Sequence, residues 1–326
     1  MHPEVICLGE LLIDFVSVDP DCSLVDSSGF SKAPGGAPAN VAAGVARLGR
    51  SAGFIGKVGQ DPFGAYLRRT LEQTGVDVSR LQVDEHARTT LSFVANLSSG
   101  VRDCMFYRNP GADMRLAPEE ISESYLAAAR VFHYGSISLG TEPSRSATLQ
   151  ALRYARKHGL LVSYDPNLRP SLWDNPAHAE REIRFGFANA DVVKISEEEM
   201  AFVTGRQSLE AGAEFILQQG AKLVIITRGA DGCYYSDGRA SGRLDGHRVD
   251  AVETTGAGDA FVAGLLTRLL ERRDRIGRFE LAADAETVEA VRFANAAGAL
   301  ATTKVGAIPA MPTASEVQAL LRRQPL

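Results

Sequence analysis

Residues 253–264 read Glu-Thr-Thr-Gly-Ala-Gly-Asp-Ala-Phe-Val-Ala-Gly. Gly256, Ala257 and Gly258 carry almost no side chain, so their backbone N–H groups can close on an anion. The apolar spacing of Phe261, Val262, Leu265, Leu266, Leu269 and Leu270 predicts a helix that opens at this loop. Its N-terminal dipole favours negative charge, yet a carboxylate, Asp259, stands at the mouth. A site that only held phosphate has no use for that charge. A site that deprotonates a hydroxyl beside a phosphate needs it. A plain turn, with Asp259 as a dipole partner in the first helical turn, is the structural alternative.

A second glycine-rich stretch, residues 34–40, reads Pro-Gly-Gly-Ala-Pro-Ala-Asn. Gly35 and Gly36 can present backbone N–H groups to a ligand, and Asn40 can both donate and accept. Asp14, after the first apolar run, can accept two hydroxyl protons. Taken singly these are a tight turn and a helix cap; together they fit a polyhydroxylated ligand.

The elements that must hold these groups follow from periodicity. Buried strands are expected at 5–8, 53–58, 131–134, 160–164, 191–195 and 222–227. Helices are expected at 38–48, 63–74, 144–157, 197–204 and 209–218, with Asp61-Pro62 as the start of the second. This alternation implies βαβ units and a mainly parallel sheet, whose ligands bind beyond the carboxyl ends of its strands. Two regions break the rhythm, about 15–33 and 89–108. The second reads as a hairpin around Ser98-Ser99-Gly100, and both are expected to form a small β lid. Residues 272–286, charged and without an apolar stripe, are expected to be the most flexible.

The chain has 326 residues, 45% hydrophobic and 23% charged, with a formal net charge of −5. That balance fits one large α/β domain and disfavours nucleic acid or an anionic membrane as partner. Cys7, Cys22, Cys104 and Cys233 lie far apart, with no zinc spacing and no need for disulfides. No apolar run spans a membrane and no signal peptide is evident, so a cytoplasmic protein is expected.

With both glycine segments placed, the chain resembles a ribokinase-type (PfkB) sugar kinase nearly end to end. Residues 35–40 are similar to the family's N-terminal signature, and Thr254-Thr255-Gly256-Ala257-Gly258-Asp259 to its C-terminal one. Three further stretches resemble fructokinases: 34–43, 107–113 (Tyr-Arg-Asn-Pro-Gly-Ala-Asp) and 165–170 (Asp-Pro-Asn-Leu-Arg-Pro). The resemblance implies a ribokinase-like α/β fold, with a central, mostly parallel sheet flanked by helices and a small β lid, as a single domain over 1–326. It implies transfer of the γ-phosphate of ATP, with Mg²⁺, to a sugar hydroxyl. For a fructokinase the acceptor is the terminal primary hydroxyl of D-fructose.

Residue by residue, the resemblance makes Asp259 the general base and Gly256, Ala257 and Gly258 the anion hole. Asp14, Gly35, Gly36 and Asn40 become sugar contacts. Arg108 approaches the sugar or transferred phosphate from the lid, and Arg169 is a further candidate there, set against a surface salt bridge. Lys194 matches a nucleotide-phosphate contact. Thr227, Gly229 and Gly232 fall in the nucleotide loop, and Asn295 on the adenine side of the pocket. Ser196 replaces the asparagine of an Asn-x-x-Glu pattern, while Glu199 keeps the glutamate that would organise Mg²⁺ through bound water. Glu253 stands where many relatives have aspartate, in a loop linked to monovalent-cation activation. The cation would sit near the Thr255 and Gly306 carbonyls. Glutamate is one methylene longer, so potassium activation is not predicted.

Other acceptors on the same chemistry are 2-keto-3-deoxygluconate, ribose and, less naturally, a nucleoside, for whose base no apolar slot is evident. A non-catalytic sugar-binding protein is disfavoured by the intact Asp259. A Rossmann dehydrogenase is disfavoured by Gly9-Glu10-Leu11-Leu12, which lacks the glycine turn for a dinucleotide. The lid's sheet edges invite pairing between subunits, so a homodimer through the lid is expected.

Overall fold

The computed structural model describes residues 2–96 and 102–324. The expected hairpin tip, Ser98-Ser99-Gly100, lies outside the described residues. Among the described residues thirteen strands form two sheets. They are β1 Val5–Leu8, β2 Leu12–Ser17, β3 Phe30–Gly35, β4 Ala52–Gly59, β5 Asp77–Asp84, β6 Leu91–Asn96, β7 Arg102–Tyr107, β8 Val131–Gly135, β9 Leu161–Asp165, β10 Val192–Ser196, β11 Leu223–Thr227, β12 Cys233–Ser236 and β13 Ser241–Leu244. The large sheet runs β13-β12-β11-β10-β9-β8-β1-β4-β5. It is parallel from β5 to β11, and β12 and β13 continue it antiparallel. The small sheet runs β3-β2-β6-β7.

The central strands read as near-continuous apolar runs because helices cover both faces. One face of alternating residues, Val5, Cys7, Val131, Val192 and Ile225, packs with α1 (Ala37–Arg47), α8 (Ala257–Ile276) and α9 (Ala285–Ala301). The other, Ile6, Leu8, Phe132, Tyr134, Val162, Val193 and Ile226, packs with α4 (Ser144–Lys157), α5 (Pro176–Ala188), α6 (Glu197–Thr204) and α7 (Leu209–Gln219). The remaining helices are α2 (Pro62–Thr74), α3 (Glu123–Ala127) and α10 (Ala314–Arg323). The Asp61 carboxylate caps α2 by accepting from the Phe63 and Gly64 amides at 3.0 and 2.9 Å, as the Asp-Pro start requires.

Chain order reverses between β8 and β1. β1 leads to β4 on one side, and β8 steps through β9 to β11 on the other. This switch point opens a cleft beyond the carboxyl ends of β1, β8 and β9. The N-terminus of α8 is directed there. The expected flexible stretch 272–286 is instead tethered: α8 continues to Ile276, and Arg272 holds Asp284 and Glu286 at 2.5 and 2.9 Å. Its charges serve these ion pairs, which is why it lacks an apolar stripe.

Candidate functional site

Gly256 caps α8 with φ 80°, a left-handed conformation that suits glycine, and a Cβ there would press on Ala307 at 3.0 Å. Ala257, Gly258 and Asp259 form the first turn, whose N–H groups have no i−4 carbonyl within the helix. Asp259 is 5% exposed. Both of its oxygens accept amide hydrogens, Oδ2 from Asn40 Nδ2 at 2.8 Å and Oδ1 from Asn167 Nδ2 at 3.3 Å. Burial pushes this carboxyl up to about 6; the Asn40 bond opposes the rise, the Asp165 charge adds to it, and Lys194 and Arg169 oppose it. A carboxyl in that range is ionised at neutral pH and still basic enough to take a proton.

Lys194 stands over the helix entrance: a Cβ on Gly258 would lie 2.7 Å from its Nζ. The ammonium is buried and pairs with Asp165 Oδ2 at 2.9 Å across neighbouring strands. Burial alone would lower Lys194, but Asp165, then Glu199 and Asp259, outweigh it and keep it charged. Helix dipole, small-residue loop and fixed ammonium thus converge on one position suited to an anion, with the Asp259 carboxylate beside it.

The glycine-rich loop 34–40 lies across the same cleft. A Cβ on Gly35 would collide with Asp14 Oδ2, and one on Gly36 with the Glu10 carbonyl, so both positions require glycine. Ser92 on β6 donates to Asp14 Oδ1. Asn40 keeps Oδ1 buried and without a hydrogen-bond partner, an acceptor awaiting a donor. Arg108 is buried and bonded to Asp113 through Nε at 2.8 Å and Nη2 at 2.7 Å. Arg169 Nη1 donates to the Leu168 carbonyl at 3.0 Å, and its charge reaches Asp259, so the surface salt bridge set against it in the sequence is not formed among the described residues.

The remaining candidates lie further along the sheet. Glu199 Oε2 takes the Ser196 amide and hydroxyl at 3.0 and 2.9 Å in a capping box, and Oε1 takes the Leu168 amide at 2.6 Å. Ser196 therefore serves as helix cap where the family pattern has asparagine. Thr227 ends β11 beside Ser196. Gly229 and Gly232 turn with φ 57° and 84°, and a Cβ on Gly232 would strike the Leu244 carbonyl. Asn295 Nδ2 donates to the Asp245 carbonyl at 3.3 Å, closing the same corner. This group forms a second cluster, with no hydrogen bond to Asp259 among the described residues.

Three site residues escaped sequence reasoning. Asn167 carries φ 47°, unusual for a residue with a side chain, and that conformation aims its amide at Asp259. Asp165 keeps Oδ1 buried and without a hydrogen-bond partner. Glu10, 4% exposed, accepts the Ala37 amide at 2.8 Å and so fixes the 34–40 loop; burial pushes its carboxyl up to about 7. Asp165 and Asn167 sit inside the fructokinase-like stretch 165–170, whereas no sequence signal distinguishes Glu10 from a loop glutamate.

Among the described residues no helix is long and apolar enough to cross a membrane. The model of the pfkB family of carbohydrate kinases matches residues 2–314. A probable fructokinase-4 of Arabidopsis thaliana is 47% identical over 319 residues, covering 98% of this chain and 96% of the relative. The solved fructokinase of Xylella fastidiosa with bound ATP superposes with TM-score 0.87 at 35% identity, covering 98% of both chains. A double mutant of the Vibrio cholerae O395 fructokinase, in a fructose, ADP and potassium ion bound form, gives 0.84 at 36%, covering 98% of both chains.

Proposed function

Because the chain belongs to the pfkB family of carbohydrate kinases, we propose that it transfers the γ-phosphate of ATP to the terminal primary hydroxyl of D-fructose. The observation that carries this reading is the buried Asp259, held by two amides at the N-terminus of α8 with Lys194 beside it. Asp14, the Gly35 and Gly36 backbone, and Asn40 bind the sugar hydroxyls, and Arg108 and Arg169 bear on the sugar or the transferred phosphate. Asp259 takes the proton of the primary hydroxyl as that oxygen forms its bond to the γ-phosphorus, and the bond to the ADP oxygen breaks. The N–H groups at 256–259 and the Lys194 ammonium hold the charge spread over the phosphoryl oxygens. Thr227, Gly229, Gly232 and Asn295 form the nucleotide side. Incubation with fructose and ATP followed by NMR of the product tests this: the phosphate is expected on the terminal primary carbon. Phosphate elsewhere on the sugar, or no product, contradicts it.

The hard oxygen donors fit a divalent cation, Mg²⁺ in our reading: Asp165 through its unpartnered Oδ1, and Glu199 through bound water. When bound, the ion neutralises phosphate charge and polarises the transferred group. A monovalent cation is a different matter. Glu253 Oε1 accepts from the Thr255 hydroxyl at 2.5 Å and Oε2 from the Gly306 amide at 2.8 Å, so its longer side chain bridges these two loop segments itself. Turnover in potassium chloride is therefore expected to equal turnover in tetramethylammonium chloride. A rate that climbs steeply with potassium contradicts this.

We also place the protein in the cytoplasm, the compartment that suits cysteines this far apart in the sequence. The proposal also includes a homodimer through the outer edges of the small sheet, β3 and β7, which sedimentation equilibrium tests.

A further inference from the structure

The root of the small sheet holds a buried polar knot. Arg108, just after β7, gives Nε and Nη2 to the same oxygen of Asp113, at 2.8 and 2.7 Å. The other oxygen, Oδ1, accepts the Thr90 hydroxyl, just before β6. The Arg108 and Asp113 side chains are 6% and 3% exposed. Gly111 passes through the middle: a Cβ there would collide with Thr90 Oγ1 and Asp113 Oδ1. The Thr90 carbonyl accepts the Ile13 amide at 3.1 Å, so the knot also grips β2 one residue before Asp14. Arg108 also lines a cavity of about 510 Å³ with Arg88, Tyr107 and Arg115.

A free arginine carries several rotatable bonds and would lose that freedom on meeting a substrate. Here the edge formed by Nε and Nη2 is already fixed by Asp113, while Nη1 takes no part in that pair. We propose that Asp113 is a positioning residue: it fixes the Arg108 guanidinium toward the acceptor and, through Thr90, sets it in register with Asp14. This rests on the reading of Arg108 as an acceptor contact. Asp113 itself touches no substrate and acts through Arg108.

A double-mutant cycle tests it, with the KM for fructose and calorimetric fructose binding as readouts. Arg108→Ala should weaken fructose about ten- to hundredfold, the scale of one charged hydrogen bond. Asp113→Ala should weaken it similarly while the KM for ATP stays constant. The double variant should be no weaker than Arg108→Ala alone, because both changes remove one interaction. Asp113→Asn, which keeps the shape and one acceptor oxygen, should recover part of the affinity and guards against an alanine variant that fails to fold. Single losses that multiply in the double variant overturn the positioning role while leaving the reading of Arg108 intact. Unchanged fructose affinity in Arg108→Ala overturns that reading, and the positioning role with it.

Discussion

Replacing Asp259 with asparagine is expected to lower kcat roughly 10²–10⁴-fold, the usual contribution of a general base. Asparagine keeps the shape and can still accept from Asn40, so the sugar and nucleotide sites stay assembled and KM changes little. The same substitution should make the empty protein more stable. Burial has raised this carboxyl from its ordinary range to about 6. A group raised in the folded state contributes most below its unfolded value, and that contribution is lost as pH rises through the folded one. At pH 7 the ionised, buried Asp259 therefore costs on the order of 3 kcal/mol, which asparagine relieves. Thermal melts of the variant should exceed those of the parent at pH 7, and the two should converge toward pH 4 and below. In the parent, kcat/KM should fall with decreasing pH through about 6 as the base is protonated. A variant that keeps parental kcat, or a profile flat through that range, contradicts Asp259 as base.

Lys194→Met carries the second large effect, and it acts on stability and activity together. The ammonium and the Asp165 carboxylate are 8% and 3% exposed, paired at 2.9 Å. Removing one partner of such a pair leaves an uncompensated buried charge, at about 3–5 kcal/mol. The lost cation also stood beside Gly258, where in our reading phosphoryl charge is held, and one such donor is worth about 10²–10³-fold in kcat. The double variant Lys194→Met with Asp165→Asn separates the two contributions. It should regain most of the melting temperature and still run about 10²–10³-fold slower than Asp165→Asn alone, the proper reference because Asp165 serves the cation in our reading. A double variant as fast as Asp165→Asn alone would mean that Lys194 serves the fold alone.

Much of this site was legible because its chemistry depends on residues with few substitutes. Gly256-Ala257-Gly258-Asp259 and Gly35-Gly36 are marked by the need for backbone approach, and the structure gives a steric reason at Gly35, Gly36, Gly256 and Gly258. The central strands were legible to within a residue or two because burial on both faces makes them continuous apolar runs. β5 and β13 were not, since their exposed and partly buried positions blur the pattern, and β12, though buried throughout, is only four residues long. Asn167 and Glu10 escaped for another reason. Their roles come from a left-handed backbone and a buried loop contact, which exist only once the chain is folded. Glu199 is instructive in the opposite direction. The acidic first turn of α6 was plain, but the same carboxylate also ties the 165–170 loop through the Leu168 amide, a contact 31 residues away in sequence.

The most direct test of the account is ADP release with Mg-ATP across fructose, ribose, glucose, 2-keto-3-deoxygluconate and adenosine, for the parent and Asp259→Asn side by side. The account predicts turnover strongest on fructose and collapsing in the variant. Turnover centred on another acceptor with the same collapse would overturn the substrate and keep the mechanism, and fructose turnover that survives in Asp259→Asn would contradict the mechanism itself.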